Sequence, residues 1–135
     1  SDVYKRQVVT DREKLAQMAE ANGRVARMLN QAAAAILVCG DLDRAFPPAP
    51  DFWVIDAAIA AQNMTLAAND LGIGSVWLGT WPDEKRVKRQ AAIFQLPETI
   101  VPHSILALGY PAEDIDMRAV RPSRYEENRV HVNQW

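Results

Sequence analysis

The chain has 135 residues, 49% of them hydrophobic and 24% charged, with a formal net charge of −2; this is the size and balance of one globular domain, not of a disordered tail. That charge gives no general pull toward nucleic acid or an anionic membrane, so neither is expected as a partner. The longest apolar run, Ala32–Cys39, is far short of the roughly 20 residues that span a bilayer. The single cysteine, Cys39, excludes an internal disulfide framework or a multi-cysteine zinc site and fits a reducing, cytoplasmic location.

Residues 1–7 (SDVYKRQ) carry no apolar period and no turn chemistry, and structure is expected to begin at Val8-Val9. Thr10-Asp11-Arg12-Glu13 reads as a capping box, with the Thr10 hydroxyl accepting from the Glu13 amide and the Glu13 carboxylate reaching back to the Thr10 amide. The helix it opens runs to Glu20 or Ala21 and stops at Asn22-Gly23. Ala26–Gln31 fits a short helix or a loop. In Ala32–Cys39 the second half, Ile36-Leu37-Val38, reads as a strand buried on both faces. The prolines of Arg44–Pro50 block helix and central strand alike.

Asp51 stands where it can cap the longest helix, about Phe52–Leu71, closed by Gly72. Phe52, Ile55, Ile59, Leu66 and a row of alanines leave that helix little polar face. In a chain this small, such a helix points to burial against a second copy as well as against its own core. Ser75–Gly79 (SVWLG) is a short strand, and Asp83–Gln95 is a helix with acids ahead of bases, as the helix dipole favours. Ser104–Gly109 (SILALG) is a further strand, and the Arg-rich Asp114–Trp135 reads as an extended arm. The order predicts an α+β fold, a sheet covered by helices.

Gly72-x-Gly74 invites comparison with a dinucleotide fingerprint, but the third glycine would fall at Trp77 and the pair follows a helix; a helix C-cap and turn is the better reading. Asp41 and Asp43 could bind a metal or move protons, yet no third oxygen-rich partner is nearby and a solvated turn is expected. His103 and His131 lie far apart without metal-ligand spacing, and Ser104 sits in no Gly-x-Ser-x-Gly elbow. No metal site and no side chain acting as catalytic acid, base or nucleophile is therefore expected. Cys39 lacks cationic neighbours and reads as core filler. Arg118, Arg121, Arg124 and Arg129 could fork onto a phosphate or simply balance the acids beside them. Trp53, Trp77, Trp81 and Trp135 could line the site of a flat aromatic ligand, with burial in the core as the default.

Taken together, Asp56–Gly79 (DAAIAAQNMTLAANDLGIGSVWLG), Ser104–Pro111 (SILALGYP) and Arg121–Trp135 (RPSRYEENRVHVNQW) resemble the nitroreductase family of FMN-dependent NAD(P)H oxidoreductases. Val8–Leu15 (VVTDREKL) matches a short strand and helix of that fold. The resemblance implies a three-layer sandwich, with a central, mostly antiparallel sheet flanked by helices and an extended C-terminal arm. It also implies a homodimer joined through helix 52–71 and the arm, with FMN at the subunit interface. Val76, Trp77, Leu78 and Gly79 would then run along the flavin, the Leu78 and Gly79 amides facing N5 and O4. Arg121 and Arg124 match a basic pair near the FMN phosphate.

The implied activity is ping-pong hydride transfer from NAD(P)H through flavin N5 to a nitro-aromatic, quinone or similar flat acceptor. Two segments that open members of this family, an Arg-rich helix and a Pro-Ser-x-x-Asn-x-Gln-Pro-Trp stretch, have no counterpart in residues 1–7. The expectation is a non-native or disordered leader over 1–7 and a single domain over 8–135, truncated at its N-terminus. The alternative function is a nitroreductase-like homodimer, flavin-free or catalytically crippled, that serves as a scaffold or small-ligand binding protein.

Overall fold

In the computed structural model, which describes residues 3–117, 119–120 and 122–135, seven regular elements follow one another. They are β1 (Tyr4–Val9), α1 (Arg12–Asn22), β2 (Ala34–Asp41), α2 (Trp53–Asp70), β3 (Gly74–Gly79), α3 (Glu84–Phe94) and β4 (Ile100–Gly109). A 3-10 segment, Arg24–Asn30, links α1 to β2. The strands make one sheet in the order β1-β2-β4-β3, antiparallel at each of these pairings, so β1 and β3 are its edges.

Strand alternation divides the apolar side chains between two cores. On one face Leu37, Leu78, Ile105 and Ala107 pack against Leu15 and Met18 of α1, with Leu29 and the partly buried Ile93 and Phe94 closing the layer. On the other face Val38 and Leu106 pack against Trp53, Ala57 and Ala61 of α2. Helices, sheet and helix thus form the expected three-layer α+β sandwich.

Several element ends differ from the sequence expectation, each for a local reason. β1 begins at Tyr4, paired with Gly40, ahead of the Val8 start read from the apolar pattern. Lys5, Arg6 and Gln7 are exposed there because an edge strand is held by its ladder to β2 and needs no burial. Residues 4–7 of the expected leader are therefore strand, while Ser1 and Asp2 lie outside the described residues. The cap of α1 is Asp11, not Thr10: its carboxylate accepts from the Lys14 amide at 2.8 Å. Asp51 falls inside a 3-10 turn, Pro50–Phe52, and makes no capping bond to α2.

The end of α2 follows the glycine expectation. Gly72 takes φ +72, its amide reaches Asn69 O at 3.0 Å, and the Ile73 amide reaches Ala68 O at 2.8 Å. This paired bonding pattern is the one that closes helices with a left-handed residue.

β4 starts at Ile100, four residues before Ser104. Its register against β2 slips where Val38 pairs with Ser104 but Cys39 pairs with Pro102. Proline has no N–H to give the ladder, and His103 becomes the extra residue of a bulge. Freed from β2, the His103 carbonyl accepts from both Thr80 N at 3.1 Å and Trp81 N at 2.9 Å, which anchors the end of β3. Beyond β4 the described residues are mostly exposed, with loose turns such as Ala112–Ile115 and one short 3-10 element, Glu127–Arg129, as an arm should.

Candidate functional site at the open edge of the sheet

β3 has a partner on one side only, so half of its main-chain groups face an open edge. The Thr80-to-His103 bond continues the β3–β4 register, in which Gly79 pairs with Ser104. Alternation in an antiparallel ladder then turns the backbone of Val76 and Leu78 toward β4, and that of Ser75, Trp77 and Gly79 toward the edge. The Gly79 carbonyl agrees with this phase: it accepts from Asn22 Nδ2 of α1 at 3.0 Å and from Arg86 Nη1 of α3 at 3.2 Å. The expectation that Leu78 and Gly79 present adjacent amides to one ligand edge is therefore corrected. Neighbouring amides of a strand point opposite ways, so Leu78 gives its own to β4 and buries its side chain, and Gly79 supplies the outward donor.

Nothing in the packing demands glycine at this position. A Cβ on Gly79 would meet only the Trp77 ring, at 3.4 Å or more, which is ordinary contact. Gly40 is the contrast, because a Cβ there would overlap the Trp53 indole. A glycine that the fold does not need, at the end of an open edge strand, suits close approach by a flat ligand. Val76 and Trp77 beside it remain 44% and 46% exposed.

The bulge at His103 also gathers aromatic rings. Trp53 and Trp81 meet edge to face with centroids 5.1 Å apart, and the His103 ring lies 5.9 Å from Trp53 and 6.1 Å from Trp77. Trp53 is buried against the sheet, whereas Trp77 and Trp81 keep open surface. His103 is buried, and desolvation lowers its pKa. Its Nδ1 lies 3.1 Å from Ser104 Oγ. A neutral ring held this way packs and hydrogen-bonds, and is a poor proton carrier at pH 7. From the sequence the tryptophans read as core by default, with the lining of a flat ligand's site as the other reading; the structure brings Trp53, Trp77 and Trp81 together around His103.

Asn22, Thr80 and Arg86 were not singled out by sequence. Asn22 read as a helix stop, yet it is buried, and its Oδ1 accepts from Thr80 Oγ1 at 3.1 Å. One signal was available: Asn22 continues the Leu15–Met18 stripe of α1 at helical spacing, and an amide on a buried stripe must find partners.

The remaining candidates resolve plainly. Burial pushes the Cys39 thiol up to about 12, which makes it inert core. Asp41 is not the expected solvated turn: it is buried at the end of β2, with Lys5 Nζ at 3.4 Å and Arg44 Nε at 3.9 Å. Asp43 is exposed. Among the described residues no cluster of His, Cys, Asp or Glu could hold a metal. Arg124 and Arg129 are exposed in the arm, with Arg129 Nε 2.8 Å from Glu126, while Arg118 and Arg121 lie outside the described residues.

The sequence and the layered fold both match known proteins. Residues 3–110 match the model of the nitroreductase family. A protein of Methanothermobacter thermautotrophicus named as an NADH dehydrogenase/NAD(P)H nitroreductase is 40% identical over 128 residues, which is 95% of this chain and 63% of that protein. One of the same name from Archaeoglobus fulgidus is 43% identical over 128 residues, covering 95% of this chain and 72% of its own length. The solved structure of an FMN-dependent nitroreductase from Clostridium difficile superposes with a TM-score of 0.83 at 26% identity, covering 98% of this chain and 76% of that one. The chain thus spans less than two thirds of the first of these relatives. It belongs to the nitroreductase family.

Proposed function

We propose that this chain works as an FMN-dependent NAD(P)H oxidoreductase, assembled as a homodimer. The observation that carries the reading is the end of β3, where Gly79 turns its N–H to an open edge beside half-exposed Val76 and Trp77. When bound, FMN would accept hydride from NAD(P)H and pass the electrons to a nitro-aromatic, quinone or similar flat acceptor in alternating half-reactions. The donor set fits such a group: one fixed main-chain donor, apolar ring faces, and no charged carboxylate facing the ring among the residues named for the site.

A pre-aimed N–H at the ring edge favours the charge that builds there on transfer, without reorganisation at that moment. Gly79 permits close approach of the backbone, and Val76 and Trp77 offer apolar surface alongside. Leu78 supports the strand from the core beneath. Arg121 and Arg124 are proposed to fork onto the phosphate. Burial lowers the His103 pKa, so the ring is neutral near pH 7 and is given no part in proton delivery here.

The outward face of α2 supports the second copy. Phe52, just ahead of α2, and Ile55, Ile59 and Leu66 on it are exposed, while Trp53, Ala57 and Ala61 on the inward face are buried. In the arm Tyr125, Val132 and Trp135 are likewise exposed apolar surface that a partner subunit would cover. Among the described residues no helix is long and apolar enough to cross a membrane, and the single buried thiol suits a cytoplasmic setting.

The test is an absorption spectrum of the purified protein before and after adding FMN, then NADH or NADPH, then a quinone. Bound yellow chromophore that bleaches with the nucleotide and recovers with the quinone is the expected result. A preparation that stays colourless and takes up no added FMN overturns the proposal and leaves a flavin-free homodimer as the reading.

A further inference from the structure

Glycine is a poor choice for aiming a donor, because without a Cβ its own backbone is free to swing. Gly79 is held on both sides. The preceding peptide is held by β4 through Leu78, which pairs with Ile105. The following peptide is held by its carbonyl, which accepts from Asn22 Nδ2 at 3.0 Å and Arg86 Nη1 at 3.2 Å. Each of those donors is itself fixed. Asn22 is buried and its Oδ1 takes the Thr80 hydroxyl at 3.1 Å. Arg86 Nε lies 3.3 Å from Asp83 Oδ2, and Asp83 in turn caps α3 by accepting from Lys85 N and Arg86 N at 3.0 and 3.1 Å.

We infer that Asn22, Thr80 and Arg86 are positioning residues that lock the Gly79 carbonyl and thereby fix the direction in which the Gly79 N–H meets the flavin edge. The inference rests on the proposed flavin site. None of the three touches the ring in this scheme; they hold the peptide that follows Gly79, and so limit rotation at the Gly79 Cα that joins it to the peptide carrying the N–H. The donor is fully ordered before the ligand arrives, so no ordering cost falls on the step in which charge develops. A lock built from the end of α1 and the first turn of α3 also ties the edge strand to the helical layer behind it.

The experiment compares wild type with Thr80→Val, Arg86→Met and Asn22→Leu, together with Thr80→Ser and Arg86→Lys, which keep a donor. Arg86 is half-exposed, so its variants report even if the buried Asn22→Leu does not fold. The first readout needs no flavin: the 15N order parameter of the Gly79 amide. It is expected to fall from the rigid value of about 0.85 toward 0.6 in the Val and Met variants, with Leu78 and Ser104 unchanged. An unchanged Gly79 order parameter overturns the lock, whether or not FMN binds.

The second readout is the midpoint potential of bound FMN. A tenfold loss of preference for the reduced flavin, about 30 mV for a two-electron couple, is expected in the Val and Met variants. Thr80→Ser and Arg86→Lys should recover most of it, and kcat should fall while KM for the acceptor holds. A loosened Gly79 with an unmoved potential overturns the positioning role and leaves the flavin site standing. Wild-type protein that takes up no FMN overturns the flavin reading, and the role with it, whatever the order parameter shows about the lock.

Discussion

Two glycines separate the needs of the fold from those of a ligand. At Gly40 a methyl group would overlap the Trp53 indole, so Gly40→Ala should cost about 1–3 kcal/mol through overpacking, read as a lower urea midpoint. At Gly79 the same methyl meets only ordinary contact, so Gly79→Ala should stay within about 0.5 kcal/mol of wild type in stability. Its effect is expected on FMN, with affinity falling at least tenfold, roughly 1.4 kcal/mol, in a fluorescence titration. Unchanged affinity would remove Gly79 from the site.

His103 adds a dependence on pH. Its pKa is lowered by burial, so the unfolded chain takes up the proton more readily than the folded one. The stability it contributes is complete above the unfolded value, near 6.5, and is lost as pH falls below that toward the folded pKa. Urea midpoints of wild type and His103→Asn should converge over that acidic window, and a constant gap would contradict the assignment. At this scale the sequence showed the candidates but not their company. Cys39 was legible as core because nothing cationic adjoins it, while the bond from Asn22 to Gly79 spans 57 residues and leaves no local trace.

Elements were legible where one short-range cause sets them. The apolar runs of β2 and β3, the glycine stop of α2 and the acid-first charge order of α3 all read directly. What escaped depends on neighbours in space: β1 reaches back to Tyr4 because β2 pairs with it, and β4 reaches back to Ile100 across a bulge that Pro102 imposes. The end of α3 shows a device that pattern reading passes over. Gln95 sits in the left-handed region at φ +51 where glycine would be at ease, with its amide on Ala92 O and the Leu96 amide on Ala91 O at 3.0 Å. Gln95→Gly removes the strain of a side chain there at some cost in unfolded-chain entropy, and a net gain of about 0.5–1 kcal/mol is expected by thermal or urea denaturation. A loss would mean that the Gln95 side chain contributes packing beyond its backbone role.

At the scale of the whole molecule the outer surface of α2 and the arm share one property, apolar side chains in water, and a second copy would resolve both. If the flavin slot lies between two copies, as the family resemblance implies, affinity for FMN and affinity between subunits are linked, and each strengthens the other by mass action. Ile59 tests this because it is exposed on the outer face of α2 and belongs to neither buried core cluster. Ile59→Glu should leave the folded subunit within about 0.5 kcal/mol of wild type, since no packed contact is lost. If α2 packs on its own symmetry mate in the proposed dimer, a charge there is costly, and that dimer should dissociate at micromolar protein in sedimentation velocity. FMN uptake should disappear with it, and at high protein concentration both should return together. A variant that sediments as a monomer yet binds FMN as tightly as wild type would show that one subunit completes the slot alone.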